Sequence, residues 1–587
     1  MDSFSVISPT LDRRRLLAAG IGGSALVGLD ALFPSWARSN TRGLANLPDT
    51  LSGEQIDLTV GHSAFQLGRR TGHAVTINGS MPGPLIRLRE GQRVRLNVHN
   101  TLDEDTSIHW HGLIVPFHMD GVPGISFPGI KPGETFRYEF DIKQAGSYWY
   151  HSHSNMQEAM GMFGALVIDP AEERLAYDRE HILVLSDYSF EHPHETLRKL
   201  RIQAGYYNRQ RQTLAGLIAG RDQDAAERLM WAQMNMDPTD ISDVTGATFS
   251  YLINARDTAG NWTGLFRPSE RVRLRIVNGS AMTNFNIRIP GLPMTIVGSD
   301  GLLVQPVETD EFQIAVAETY DVIVQPTEAI AYGFVAEAID RSGQCRATLA
   351  PAAGMVAPVP QLRERPLLTM KDMGMGDMSG DPSTGDMDHA AMGHDMASMD
   401  HGDMKMRDFA NAPQVARGPG VATISPMPMN RLADRPTGLE SVPHRVLTYA
   451  DLKSLDPNPD TRAPAREIDV HLTANMERYM WSMDGEAMSE NSEPLPFRHM
   501  ERVRVNLIDH TMMPHPIHLH GHFFEVVNGN PGHYPQKNVV NVLPGGKVTI
   551  DFTADALGDW AFHCHMLHHM HMGMFRRVTV RHEEDAA

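Results

Sequence analysis

Short runs in which apolar and polar side chains alternate recur along this chain. Val94-Arg95-Leu96-Asn97-Val98, Val272-Arg273-Leu274-Arg275-Ile276-Val277, Val503-Arg504-Val505-Asn506-Leu507 and Val548-Thr549-Ile550-Asp551-Phe552 all carry the pattern. A period of two is that of a strand with one face buried and the other wet. Tyr320-Asp321-Val322-Ile323-Val324 repeats the theme, and Phe163-Gly164-Ala165-Leu166-Val167-Ile168 reads as a strand buried on both faces. Turn signals such as Gly91-Gln92 and Lys131-Pro132-Gly133-Glu134 separate the runs. The pattern predicts an all-β chain of three sandwich domains, over residues 50–172, 178–350 and 444–583.

Two stretches depart from it. An insert over residues 191–240 has Leu214, Leu217 and Ile218 at helical spacing and good helix formers from Ala225 to Met236. It predicts helices inside the second domain that serve as packing elements. Residues 351–443 read as a linker, and their middle, 370–406, is low in complexity. It runs Met-Gly-Met-Gly-Asp-Met-Ser-Gly from Met373 and later Met-Asp-His-Ala-Ala-Met-Gly-His-Asp-Met from Met387. So much Gly, Ser, Asp and Pro works against a packed core.

Composition narrows the class. The 587 residues exceed what one core organises, and 41% hydrophobic content is that of a globular protein. A net charge of −19 argues against nucleic acid as a partner and suits a well-solvated protein that meets cations. Residues 1–37 read as an export signal: Asp12-Arg13-Arg14-Arg15-Leu16-Leu17 resembles a twin-arginine motif, an apolar run reaches Phe33, and Ser35-Trp36-Ala37 is a small-x-small cleavage site. Asp30 interrupts the apolar run, which is also short, so a permanent membrane span is not expected. The expected address is a bacterial periplasm. Of the two cysteines, Cys345 is expected to be a buried small side chain, and no structural disulfide is expected.

The chemistry is concentrated in four clusters: His109-Trp110-His111-Gly112, His151-Ser152-His153, His515-Pro516-Ile517-His518-Leu519-His520, and His563-Cys564-His565 continuing to His569 and Met574. On a strand, His563 and His565 face one way and Cys564 the other, so one segment can serve two metal centres. A thiolate with imidazoles and a weak Met ligand is the set for a blue-copper electron-transfer site. Alone, the last run could be a His-rich scavenger. Four His-x-His pairs supply eight imidazoles, too many for one mononuclear site. The 35 methionines are unevenly placed, and thioethers are soft ligands that select Cu(I). His389, His394 and His401 add imidazoles for Cu(II) to the methionine tract.

In this order, the four clusters resemble the copper motifs of the multicopper oxidases over almost the whole chain. The methionine tract, with Pro116-Phe117-His118-Met119-Asp120-Gly121-Val122-Pro123-Gly124 and Tyr479-Met480-Trp481-Ser482-Met483-Asp484-Gly485, resembles the bacterial copper-resistance branch. The resemblance implies three cupredoxin-like Greek-key β-sandwiches, the middle one a structural spacer, and four coppers. Cys564, His515 and His569 would hold type 1 copper, with Met574 as the weak axial ligand. His109 and His518 would hold type 2 copper. His111, His151, His153, His520, His563 and His565 would hold the type 3 pair. Asp120 occupies the place of an acid near type 2 copper; it is either a proton donor or orienting group, or a turn residue before Gly121. Met570 stands where related cuprous oxidases carry a second acid. Substrates would be O₂ with Cu(I) or small organic reductants, and other periplasmic copper-resistance proteins are possible partners. The chain supplies a full site, so a monomer is expected. Three functions are compatible: oxidation of Cu(I) to Cu(II) with extra copper held in the methionine tract, laccase-like oxidation of phenols, or copper sequestration with incidental oxidase activity.

Overall fold

The computed structural model describes residues 49–375, 406–489 and 492–582. The export signal expected over 1–37 and residues 376–405 of the methionine tract lie outside the described residues. Six sheets pack in three pairs.

In the first pair, the strands Arg70–Ile77, Gln55–Leu67, Arg93–Asn100 and Thr135–Asp141 form one sheet. The second runs Thr50–Leu51, Leu85–Arg89, Phe163–Asp169, Gly146–His151 and His109–His111. Val94, Leu96 and Val98 are buried while Arg93 and Arg95 are exposed, as alternation demands. Each such buried Val or Leu is worth about 1.5–3 kcal/mol over its exposed state. The middle pair joins a six-stranded sheet centred on Val272–Asn278 and Thr319–Val324 to a five-stranded one centred on Tyr332–Ala338. The last joins a sheet centred on Arg502–Asp509 and Gly546–Thr553 to a five-stranded sheet. The latter runs Leu495–Arg498, Phe575–Arg581, Gly558–Cys564, His515–Leu519 and Val539–Val542. These are all-β cupredoxin-like sandwiches. Among the described residues no helix is long and apolar enough to cross a membrane.

The alternating strands Val272–Asn278 and Thr319–Val324 break the rule. Every residue of Val272–Asn278 is buried, Arg273 and Arg275 included. Their face is the seam with the first sandwich, not solvent. Buried charge requires partners. Arg275 Nε donates to Glu180 Oε2 at 2.8 Å, Arg273 Nη2 to Asp321 Oδ2 at 2.7 Å, and Arg87 of the first sandwich forks onto Asp169 at 2.8 and 2.6 Å. A second seam, with the third sandwich, buries Lys537 Nζ at 3.1 Å from both Asp300 Oδ2 and Glu318 Oε1.

The insert forms helices Pro193–Ile202, Leu214–Ile218 and Ala225–Gln233. Asp224 caps the third by accepting from the backbone N–H of Ala226 and Glu227. It ends at Gln233 rather than Met236 because Asn235 turns left-handed, at φ +57°. Leu214 and Ile218 share a helical face but are 71% and 80% exposed, so here the spacing marks a helix without marking a packed one.

The described ends of the methionine tract also depart from expectation. Met370–Met373 is one 3-10 turn, capped at Thr369 and tied through Asp372 to Arg431 at 2.8 Å. Met370, Met373, Met375 and Met406 belong to a cluster around Trp231, Ile241 and Met512. Composition opposes packing only where no apolar partner is supplied; here the insert and the third sandwich supply one. Further on, Ala412, Val415, Val421 and Ile424 are buried together, and Met429–Asn430 pairs with Gly546–Thr553. Residues 412–430 of the segment read as a linker are laid along the third sandwich, while Arg363 near its start bonds Glu311 and Glu337 of the second.

Candidate metal centres

Sheet register assembles the histidines. His109 lies opposite His151 in the first sandwich, and His518 opposite His563 in the third. Ile517 lies opposite Cys564, so alternation turns that thiol away from its flanking imidazoles. The first and third sandwiches meet where these strands end. Ring nitrogens of His109, His111 and His518 lie within 4.8 Å of one another, as do those of His111, His151 and His565, and those of His153, His520 and His563. His563 Nε2 is 3.1 Å from His520 Nε2 and 3.5 Å from His153 Nε2. All eight rings are buried except His153, which is half-buried.

Hydrogen bonds decide which nitrogen of each ring is free. His109 Nδ1–H donates to the Asp120 carbonyl at 2.8 Å, His518 Nδ1–H to the Asn538 carbonyl at 2.7 Å, and His563 Nδ1–H to the Cys564 carbonyl at 2.9 Å. His520 Nδ1–H donates to Asp120 Oδ2 at 2.8 Å. His111 is turned over: Nε2–H donates to Asn538 Oδ1 at 3.2 Å. The nitrogens left over, Nε2 of His109, His151 and His518 and Nδ1 of His111, are buried and without a hydrogen-bond partner. Buried unsatisfied nitrogens are costly. Several of them aimed into one space fit a cluster of metal ions and little else.

A separate group sits on the other side of the strand. Cys564 Sγ is 3.5 Å from His515 Nδ1 and 3.7 Å from His569 Nδ1, and the two nitrogens are 3.3 Å apart. Thr511 Oγ1 donates to the Met513 carbonyl and accepts from His515 Nε2–H at 2.8 Å. Trp481 stacks on His569 with ring centres 3.6 Å apart. Met574 is fully buried, and its backbone carbonyl and N–H bond to Cys564 and His569. Burial pushes the Cys564 thiol up, so only a bound cation makes it a thiolate at neutral pH. This donor set fits copper.

Three acids serve these rings, and sequence reading found one. Asp120 is buried between His109 and His520, which is more than a turn residue does. Asp243 comes from the second sandwich, expected to be a spacer; its Oδ2 accepts from His569 Nε2–H at 2.7 Å and from the Tyr479 hydroxyl at 2.8 Å. Glu158 lies 2.7 Å from His151 Nδ1, and burial, with Asp187 nearby, raises its carboxyl well above the usual range. Neither has a local sequence signal. Met570 contributes no acid; with Val122, Ile125, Met488 and Arg577 it lines a cavity of about 580 Å³ that reaches His153. The off-motif histidines are otherwise engaged: His510 bonds His471 at 2.6 Å, His522 bonds the His520 carbonyl at 3.0 Å, and His571 bonds the Asn155 carbonyl at 2.6 Å. His568 is buried with Nδ1 unpartnered.

Burial, reinforced by neighbouring imidazoles, holds His111, His151, His153, His515, His518, His520 and His565 well below 6.5 and His563 at about 4. These rings stay neutral and keep their lone pairs. In the unfolded chain they return to 6.5, so below pH 6.5 it takes up protons that the fold refuses. Stability is therefore lost as pH falls, by up to about 1.4 kcal/mol per ring per pH unit. The metal-free protein is expected to unfold at steadily lower urea concentrations from pH 6.5 down to about 4. A midpoint that stays flat over that window would contradict the neutral, buried cluster.

Family profiles described as multicopper oxidase match residues 59–173, 179–355 and 461–584. Copper resistance protein A of Escherichia coli is 46% identical over 95% of this chain and 98% of its own length. A copper resistance protein A homolog of Pseudomonas syringae pv. tomato is 47% identical over 97% of this chain and 100% of its own. A solved laccase from Botrytis aclada superposes with a TM-score of 0.61 at 20% identity, over 92% of this chain and 89% of that one. A solved multicopper oxidase that functions in iron import gives 0.63 at 18%, over 91% and 90%.

Proposed function

Because the chain belongs to the multicopper oxidase family and is a copper-dependent oxidoreductase, we propose that it is a periplasmic oxidase of copper resistance that converts Cu(I) to Cu(II). The electrons pass to dioxygen: four cuprous ions give one each, and O₂ takes four electrons and four protons to become two waters. His515, Cys564 and His569, with Met574 as a weak axial partner, would hold type 1 copper. His109 and His518 would hold type 2 copper. His111, His151 and His565, and His153, His520 and His563, would hold the two ions of the type 3 pair. Bound copper supplies the one-electron steps and the reduction of dioxygen.

The chain's own residues do the rest. Cys564 lies between His563 and His565, so one short covalent path joins the thiol group to both three-imidazole groups. Asp120, within reach of His109 and His520, positions those rings and is suited to give a proton. Thr511 and Asp243 hold His515 and His569 with Nδ1 facing the thiol.

One observation supports Cu(I), rather than a phenol, as the electron donor. Met234 and Met236 of the insert, Met370, Met373, Met375 and Met406 of the tract, and Met476 and Met512 of the third sandwich gather in one cluster. Met512 is three residues from His515, and Ile241 of the same cluster is two from Asp243. Thioethers from three parts of the chain thus meet beside the thiol group, where Cu(I) is the ion they select. In this reading the tract gathers Cu(I) and the cluster presents it to His515 and His569.

Oxygen uptake by the copper-loaded protein tests this. Fast uptake with Cu(I), and slow uptake with a simple phenol until Cu(II) is added, is expected. Deleting residues 376–405 is expected to raise the Cu(I) concentration at half-maximal rate and lower copper bound per chain, with the blue colour retained. Phenol turnover without added copper that matches the Cu(I) rate would favour a laccase. No uptake with either donor, from a blue and fully loaded protein, would leave sequestration.

A further inference from the structure

We propose that Glu158 is the positioning residue of one type 3 copper site, orienting His151 and His565 together across the junction of the first and third sandwiches. It rests on the ligand assignment above.

Glu158 opens a single 3-10 turn, Glu158–Met160, closed by Gly161 at φ +111°. A side chain at Gly161 would strike Met81 Sδ at 2.5 Å, so the turn is held against the first sandwich. Glu158 is 4% exposed. Its Oε2 lies 2.7 Å from His151 Nδ1, whose N–H donates to the Ser152 carbonyl at 3.0 Å. Its Oε1 has no hydrogen-bond partner and lies 4.0 Å from His565 Nδ1, which has none either. No Lys or Arg pairs with Glu158 among the described residues.

A buried carboxyl without a cation is expensive. Here it faces two imidazoles of one three-ring group, His111, His151 and His565. A ligating imidazole keeps its tautomer and ring angle through the partner of its other nitrogen. Asn538 does this for His111, and Glu158, 2.7 Å from His151 Nδ1 and 4.0 Å from His565 Nδ1, is the acid that lies beside both remaining rings. The arrangement parallels Asp120, which bonds His520 of the other group through its side chain. Each three-imidazole group thus has its own acidic side chain. The one beside His151 and His565 comes from a different sandwich than Met570, which stands where related cuprous oxidases carry a second acid. The origin is mixed: a carboxyl of the first sandwich lies 4.0 Å from a ring of the third.

The test uses copper-loaded full-length protein with Glu158→Gln and Glu158→Leu. Glutamine keeps the volume and one acceptor oxygen, while its amide nitrogen cannot accept from the second ring. Leucine removes both acceptors. Metal analysis after competition with a chelator, optical spectra and EPR are read together. Glu158→Gln is expected to hold the copper of this group about 10–100-fold more weakly. Glu158→Leu is expected to lose one copper per chain, so that the partner ion of the pair becomes visible by EPR while the blue absorption is unchanged. If the leucine variant does not fold, the glutamine variant decides the matter through its copper affinity. Variants that keep wild-type copper content, affinity and an EPR-silent pair, with only a lower Tm, would make Glu158 a packing residue and overturn the proposal. A wild-type protein that is blue but lacks a coupled pair would overturn the ligand assignment instead, and the proposal with it.

Discussion

Cys564→Ser is expected to give a folded, colourless protein with one copper fewer per chain and oxygen uptake at background with any donor. The thiol is fully buried, 3.5 and 3.7 Å from the Nδ1 atoms of His515 and His569. A thiolate binds copper strongly and gives the blue site its colour; a serine hydroxyl stays protonated and is a hard, weak ligand. The electron route is cut as well, because the thiol carries the link to His563 and His565. The eight imidazoles are untouched, so the other coppers are expected to remain. The new hydroxyl costs about 1–3 kcal/mol where it lacks a partner, which lowers Tm without preventing folding. A blue serine variant, or one that consumes oxygen at more than background rate, would show that electrons enter elsewhere.

Asp120 carries the second large effect. Its side chain accepts from His520 and its carbonyl from His109. The next residue, Gly121, sits at φ +83° with its missing side chain 1.9 Å from the Ile108 carbonyl, so the loop is pinned to the strand that leads into His109. Asp120→Ala leaves His520 without its acceptor and is expected to weaken copper binding by about 10–100-fold. Asp120→Asn separates the two roles. Its carbonyl still accepts from His520, so copper content is expected to recover, whereas an amide supplies no proton. If Asp120 is a proton donor, turnover of the fully loaded asparagine variant falls by about 10²–10⁴-fold. Full turnover at full copper content would reduce Asp120 to an orienting group. Copper analysis beside oxygen uptake, at matched loading, distinguishes the two.

Much of the site was legible because its signals are local. Residue type and strand alternation sit within a few residues, as in His563-Cys564-His565, where alternation alone puts the thiol and its flanking imidazoles on opposite faces. The strands were legible for the same reason: Val94, Leu96 and Val98 alternate because each answers to one buried face. Alternation misled at Arg273 and Arg275, where the polar face is itself covered by the first sandwich and the charges are paired in a seam. It misled again at Leu214 and Ile218, whose helical spacing is real and whose face is wet.

The sequence by itself determined that this chain is all-β, that it carries metal-ligating residue types in four clusters, and which family those clusters resemble. Only the tertiary structure decided which nitrogen each ring offers and which acids hold the rings. Asp243 is 326 residues from His569, and Asn538 is 427 from His111. Glu158 of the first sandwich lies 4.0 Å from His565 of the third. These are ordinary residue types in ordinary loops. A metal ligand announces itself by its chemistry, which is a property of the residue. An orienting partner is defined by where it lies, and that is a property of how three sandwiches pack.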